Sequence, residues 1–371
     1  MKIKVIRSRF CGGVALVKDV CEGKDKLNIL RCVKIEAKDG RCILTASNID
    51  VTVTTNIACE VIEPGAVALV GSSVFGFVDA LPEGEVEIEV KDGASKAVIT
   101  GGSCRYTVAV GEIDQWPTIA EVGKDAKPEE KSQICMKSQI LKELFIKVKY
   151  AVSCDGSRRA IEGVNMSVTP EKTTLVGTDG CRLSFVEYET CAVGSTSVTL
   201  TMKTVKQLEK MIGKSESDID ISTDCRQIVF SSVSDGWILQ AKLVDQPYPN
   251  WQRVIPAEKK NIAKIDRAAL VAELKRAGLS AGENRDVKFT LDKCVLTLEA
   301  NDSDFSKAKT SLTVAYDGEK VVTDLNPAYV LDILNCVDDD NVVVAFADGH
   351  SPVAILSTIP FMAVVMPLRI S

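Results

Sequence analysis

The chain has 371 residues, 46% of them apolar and 26% charged, and 51 acidic against 45 basic residues give it a formal net charge of −6. That length predicts two or three domains, each able to bury its own core, and the composition excludes general disorder. No run approaches the roughly eighteen apolar residues of a membrane-spanning helix, and the net negative charge argues against a surface that holds nucleic acid by basic residues alone.

Met1 to Arg7 alternates charged and apolar side chains. It reads as a first strand rather than a secretory signal, which needs an unbroken apolar run after its basic start, so a cytoplasmic protein is expected. Six short helical patterns then start near Arg7, Ser73, Lys137, Lys203, Asp266 and Asn326, a recurrence of roughly 60 to 65 residues. The second, fourth and sixth copies share a plan. A strand (Ala66 to Val70, Ser197 to Thr201, Lys320 to Asp324) leads into the helix, an acidic turn and an alternating strand (Val86 to Val90, Ile219 to Ile221, Val342 to Val344). The first, third and fifth copies follow their helix with a meander, as in Val164 to Val168, Thr173 to Gly177 and Arg182 to Glu187.

Two half-repeats therefore make a domain and three similar domains make the chain, at 1–124, 132–256 and 257–371, with linkers at Val122 to Ser132 and Pro256 to Asn261. In the third helix Leu141, Leu144, Phe145, Val148 and Val152 form one apolar stripe, with Lys142 and Lys149 facing away. The fourth repeats this with Val205, Leu208 and Ile212 inward and Lys203, Lys206 and Lys210 outward. The class is α+β, with one helix per half-repeat layered on antiparallel sheets.

Thirteen cysteines include no CxxC pair, and Cys32, Cys42, Cys59 and Cys294 fall among apolar strand positions, so reduced, buried thiols acting as small hydrophobes are expected. With one histidine and no ligand pairs, neither a zinc site nor any cofactor is expected. His350 lies in Asp348-Gly349-His350-Ser351, which supplies no separate base and orienting group for a nucleophile. The acidic run Asp338-Asp339-Asp340 reads as one more polar turn. There is no GxxxxGK and no HExxH, so a non-catalytic protein is expected.

Asp179-Gly180, set between alternating segments, is by itself an ordinary hairpin turn. Its company is more specific. Lys242 to Asp245 leads into Tyr248-Pro249-Asn250-Trp251-Gln252-Arg253-Val254-Ile255-Pro256, and the chain ends in Val364-Val365-Met366-Pro367-Leu368-Arg369. Asn326 to Asn335 reads as a last helix, and Leu81-Pro82-Glu83-Gly84 adds a weaker match in the first third. Together these resemble the bacterial replicative sliding clamp, the β subunit of DNA polymerase III. The resemblance spans the chain in length and layout and is most specific in its second and third thirds.

The resemblance implies a DNA-clamp fold with sheets outside and helices lining a ring. It implies a homodimeric processivity factor that slides on duplex DNA and tethers the replicative polymerase, the clamp loader and other partners that carry a clamp-binding motif. Its peptide-binding groove maps onto Ile161, Thr178, Gly180, Cys181, Arg182, Leu183, Pro249, Arg253, Val254, Asn326, Tyr329, Val364, Met366, Pro367 and Leu368. Cys181 stands where many members have histidine, and Asn284 stands near a position that is aromatic in some relatives. The DNA-facing residues would be Lys142, Lys149, Lys203, Lys206, Lys210, Lys275 and Arg276 on helices, with Lys24 of Lys24-Asp25-Lys26 and Arg158 and Arg159 on loops. The second and sixth helices carry no basic residue. The dimer contact would join the first domain of one chain to the third domain of the other, through Tyr106 and Val108 of an edge strand and Leu279.

Size decides how many chains such a ring needs. A helix with its side chains is about 10 Å wide, so six in a circle leave a bore of about 9 Å and twelve leave about 28 Å. Duplex DNA is about 20 Å across, as its groove depths imply, so a ring around it needs two chains.

Overall fold

A computed structural model of the protein describes residues 1–21, 29–117, 131–256, 260–281, 286–302, 306–357 and 360–368. It opens with β1 (Lys2–Ile6), α1 (Arg7–Val17) and the meander β2 (Cys32–Lys38), β3 (Arg41–Ser47) and β4 (Val51–Ala58). A short β5 (Glu60–Glu63) precedes β6 (Gly65–Val70), α2 (Gly71–Ala80) and the meander β7 (Glu85–Glu89), β8 (Lys96–Gly101) and β9 (Cys104–Gly111). The plan recurs in β10 (Ser132–Lys137), α3 (Ser138–Lys149), β11 (Gly163–Val168), β12 (Lys172–Thr178) and β13 (Arg182–Glu189). Its second half is β14 (Thr196–Thr201), α4 (Met202–Ile212), β15 (Asp218–Thr223), β16 (Gln227–Ser232) and β17 (Trp237–Lys242). A third round begins with β18 (Asn261–Asp266), α5 (Arg267–Gly278), β19 (Val287–Asp292), β20 (Val295–Asp302) and β21 (Ser306–Thr313). It ends with β22 (Val321–Leu325), α6 (Pro327–Asn335), β23 (Asn341–Phe346), β24 (Val353–Leu356) and β25 (Phe361–Val365).

All six helices start within two residues of the positions expected from hydrophobic spacing. Side chains cap α5 and α6. Asp266 accepts from Ala269 N at 2.7 Å and Asn326 accepts from Ala328 N at 2.9 Å, with Pro327 opening α6, where its missing N–H costs nothing. The α3 stripe Leu141, Leu144, Phe145 and Val148 is buried, and so are Val205, Leu208 and Ile212 of α4. No helix among the described residues is long and apolar enough to cross a membrane.

The chain forms two contact units. One comprises Met1–Ile140, Ala192–Thr196 and Lys203–Leu243, the other Leu141–Cys191, Ser197–Met202 and Val244–Ser371. The first is built on a sheet of order β10-β15-β16-β17-β4-β3-β2-β6-β9-β8-β7-β1-β5. The second has an eight-stranded sheet, β14-β11-β12-β13-β25-β24-β23-β18, and a four-stranded one, β21-β20-β19-β22.

The repeat is registered residue by residue. In the second halves, Ile88, Ile99 and Tyr106 stand opposite one another in sequence across β7, β8 and β9. Ile221, Phe230 and Leu239 do the same across β15, β16 and β17, and Val344, Ile355 and Ala363 across β23, β24 and β25. In the first halves the matching rows are Ile35, Leu44 and Thr55, then Met166, Leu175 and Val186, then Phe289, Leu298 and Thr310. A slip of one residue would turn each apolar row to the opposite face, so the shared register fixes which residues are equivalent.

The cysteines depart from expectation. Cys32 and Cys42 are buried, but Cys135, Cys154, Cys181, Cys191, Cys225 and Cys294 are exposed and the other five are half-buried. Cys294 misleads because it occupies a two-residue turn with Lys293, at φ 62° and 45°, between two apolar strands. All thirteen are thiols. A thiol-reactive disulfide reagent is expected to titrate the six exposed thiols in the native protein and all thirteen in denaturant. Burial pushes the Cys21 thiol up to about 12, which keeps it among the slow set, and rapid titration of all thirteen would contradict the fold's assignment of the interior.

Candidate functional site

The site grows from the β12–β13 hairpin, which closes with Thr178 opposite Leu183. Gly180 has φ 89°, a conformation open to glycine and strained for other residues. Asp179 Oδ1 accepts from Cys181 N and Arg182 N, each at 2.9 Å, and Thr178 Oγ1 donates to Arg182 O at 2.7 Å. The turn is thus held by its own side chains. Ser153 N donates at 3.2 Å to both Ile161 O and Thr178 O, which sets Ile161 beside the same strand end.

Arg182 ties the turn to two helices. Its Nε bonds Asp179 Oδ2 at 3.0 Å, Nη1 bonds Asp332 Oδ2 of α6 at 2.6 Å, and Nη2 bonds Tyr150 O, just past α3, at 2.6 Å. Its guanidinium lies 4.5 Å from the Tyr329 ring centroid. The side chain is 12% exposed, so it serves as a strut more than as an open charge.

The carboxyl-terminal strand completes the floor. β25 pairs with β13, Leu183 opposite Val364, after which Met366 N donates to Cys181 O and Leu368 N to Asp324 O, both at 2.8 Å. Val176, Leu183 and Val364 form a buried cluster roofed by Phe185, Tyr248, Trp251 and Met362. The Phe185 and Trp251 rings lie 4.9 Å apart, tilted by 42°. Tyr248 and Trp251 come from the segment before Arg253, so their packing on the sheet face helps to fix where that arginine stands.

An open depression of about 510 Å³ is lined by Arg253, Val254, Ile255 and Pro256, with Met366, Asp348, Ser351 and Pro352 among the other lining residues. Of the expected groove residues Arg253, Val254 and Met366 line it and are exposed, whereas Ile161, Thr178, Leu183 and Val364 are buried. Tyr329, Pro367 and Leu368 are half-buried and Gly180 and Cys181 exposed. Asn326 spends its side-chain oxygen capping α6. Pro249 faces a second depression together with Asn250, Trp251 and Gln252. Asn284 lies outside the described residues.

The 347–352 turn was missed as part of the site. Its one signal was Asp348-Gly349, read only for the neighbouring histidine. Asp348 accepts from His350 N, Ser351 N and Ser351 Oγ, so the hydroxyl is bonded to the carboxylate within the turn. A β-carbon on Gly349 would collide with Val322 O, which shows how tightly the turn sits on β22. No group of three or more metal-ligating side chains occurs among the described residues.

The other expected sites are placed as follows. Lys203, Lys206, Lys275 and Arg276 are exposed and Lys142 and Lys149 half-buried. Lys210 is ion-paired with Asp19, and Arg276 with Glu273. Lys24-Asp25-Lys26 lies outside the described residues. Arg158 and Arg159 are exposed, and the Arg158 guanidinium lies where a β-carbon on Gly180 would sit, bringing it to the groove turn. Tyr106 stacks on Phe77 at 4.5 Å and 9°, Val108 is buried within its own unit, and Leu279 is 87% exposed.

Three family models match the chain in succession. They are the N-terminal domain of the DNA polymerase III beta subunit over residues 1–120, its central domain over 135–250 and its C-terminal domain over 252–369. A beta sliding clamp from Chlamydia trachomatis is 26% identical, covering 100% of this chain and 87% of the relative. One from Caulobacter vibrioides is 24% identical, with both chains covered in full. The solved DNA polymerase sliding clamp of Pseudomonas aeruginosa superposes with a TM-score of 0.93 at 21% identity, again over 100% of both chains, which identifies the three-domain DNA-clamp fold. The chain belongs to the DNA polymerase III beta subunit family.

Proposed function

We propose that the protein is a processivity clamp of the cytoplasm: two chains closed head to tail into a ring around duplex DNA. Each groove holds a segment of the replicative polymerase, the clamp loader or another partner. As a DNA polymerase III beta subunit it is a non-catalytic accessory subunit. Its three domains run over 1–124, 132–256 and 257–371.

One observation carries the ring: the strands do not balance within one chain. The third strand of a first-half meander pairs with the last strand of a second-half meander twice, as β4 with β17 and β13 with β25, setting Val53 opposite Leu239 and Ser184 opposite Ala363. β21 is the remaining strand of the first kind and β9 of the second. Among the described residues β21 has only β20 beside it, and β9 has only β8 along Cys104–Ala109, since β6 reaches just Val110 and Gly111. Open edges of this kind are templates for pairing. By the shared register, β21 of one chain would meet β9 of another with Ala308 opposite Tyr106. That contact is heterologous, and it must close into a ring or run on as a filament. Closure by two chains supplies the twelve helices whose bore admits a duplex.

The net charge of −6 suits a hold that is topological. Exposed Lys203, Lys206 and Lys275 would make the bore mildly positive, while an acidic exterior keeps other DNA away. Loaded onto nicked circular DNA by the cognate clamp loader, the protein is expected to stay with the plasmid through gel filtration. It is expected to be lost once the plasmid is cut. Retention on linear DNA with free ends would overturn the ring.

A further inference from the structure

The groove's sheet face continues beyond its apolar part. Val176 and Phe185 share one cross-strand row with Asn165, and two residues along the strands the next row on that face is Ser167, Thr174 and Glu187. One pleat repeat, about 7 Å, therefore separates the apolar floor from a hydroxyl-bearing one. Over this second row lies an open depression of about 560 Å³, walled by Tyr248, Pro249, Asn250, Trp251 and Gln252. Trp251 belongs to both sides, roofing the apolar cluster and lining the polar depression. The backbone wall continues without a break into Arg253–Pro256, which line the apolar groove.

The depression carries no spare charge. Lys172 Nζ bonds Glu187 Oε1 at 2.6 Å, and Thr174 Oγ1 reaches the same oxygen at 3.4 Å. Asn165, 3% exposed, is fixed from below by Ser197 Oγ and Val198 O, each at 3.2 Å. A charged group entering here would lose hydration and would have to compete with the Lys172–Glu187 pair for a counter-charge, whereas hydroxyls, carboxamides and backbone amides would find partners.

We propose that this polar depression is a second subsite, which takes the uncharged, hydrogen-bonding flank of the same partner segment whose apolar anchors fill the groove. The proposal rests on the groove reading above. It assigns the Tyr248–Gln252 stretch a role in partner choice, because a partner with a charged flank would gain nothing from it.

The test uses fluorescence anisotropy with three labelled peptides from the cognate polymerase catalytic subunit: the shortest segment that binds, and the same segment extended at one end or at the other by about five Ser, Thr, Asn or Gln residues, roughly 17 Å of extended chain. One extension is expected to tighten binding about tenfold, the equivalent of one or two net hydrogen bonds. Ser167→Arg and Asn250→Arg should each remove that gain while binding the short peptide as the unaltered protein does. An extension built from Lys or Glu should give no gain. The subsite is overturned if neither polar extension tightens binding, or if the gain survives both substitutions. Met366→Ala separates the two readings: loss of the short peptide confirms the groove, and unchanged short-peptide binding overturns the groove and this extension with it.

Discussion

Replacing Tyr106 by Glu is expected to leave single chains at low micromolar concentration, where the unaltered protein is expected to sediment as a dimer. Tyr106 occupies the same register position as Leu239 and Ala363, both fully buried where β17 meets β4 and β25 meets β13. In a lone chain Tyr106 is instead half-buried against Phe77, on a strand whose edge is open. A carboxylate at that position would have to give up its hydration on assembly, at a cost of several kcal/mol, which is enough to shift a micromolar equilibrium by more than about a hundredfold. A second arm tests the register independently of folding. Thr55 faces Trp237 within the chain and Val186 faces Phe361, which makes Thr310 the counterpart of the natural Cys104. Thr310→Cys is therefore expected to cross-link two chains under mild oxidation, since directly opposed strand residues fall within disulfide reach. Lys309→Cys, whose side chain points to the other face, should not cross-link. A Tyr106→Glu protein that sediments unchanged, or cross-linking at 309 and not 310, would move the interface elsewhere.

The parts of this architecture that were legible in the sequence are those set by local periodicity. The α3 and α4 stripes announced their helices because each apolar residue recurs every three or four positions, and the spacing of six such stripes exposed the threefold duplication. Strand partnership was not legible in this way. β4 and β17 lie some 180 residues apart, and an alternating strand carries the same pattern whether its edge is paired or open, so the imbalance between β9 and β21 needs the fold to be seen. The groove residues are expected from resemblance alone, which does not separate buried positions from exposed ones. Leu183 and Val364 read like Met366 in a sequence, although the first two are buried floor and the last is 37% exposed. The sequence places Arg158 beside Arg159 as an expected phosphate contact, and only the fold shows that its guanidinium also stands at the hairpin turn beside the left-handed Gly180.

That division of labour decides how the groove should be probed. Truncating Leu183 would leave a cavity in the Val176 and Val364 cluster at a cost of about 2–5 kcal/mol to folding, so lost binding in that variant would have two explanations. Met366 and Leu368 are better targets. Met366 is exposed beside Arg253 and Val254, and Leu368 is half-buried and held by its backbone N–H to Asp324 O, a bond that truncation of the side chain leaves in place. The doubly altered Met366→Ala, Leu368→Ala protein is expected to bind partner peptides about a hundredfold to a thousandfold more weakly. Each side chain contributes about 1.5–3 kcal/mol when a ligand buries it fully, and every 1.4 kcal/mol is tenfold in affinity. Neither residue lies on β9 or β21, so the dimer should sediment as before, and the chain should still be retained on circular DNA while failing to extend synthesis by the polymerase. Peptide affinity left unchanged in this variant would remove the Arg253, Val254 and Met366 depression from the mechanism. A dimer that dissociates would show instead that the segment after β25 supports assembly.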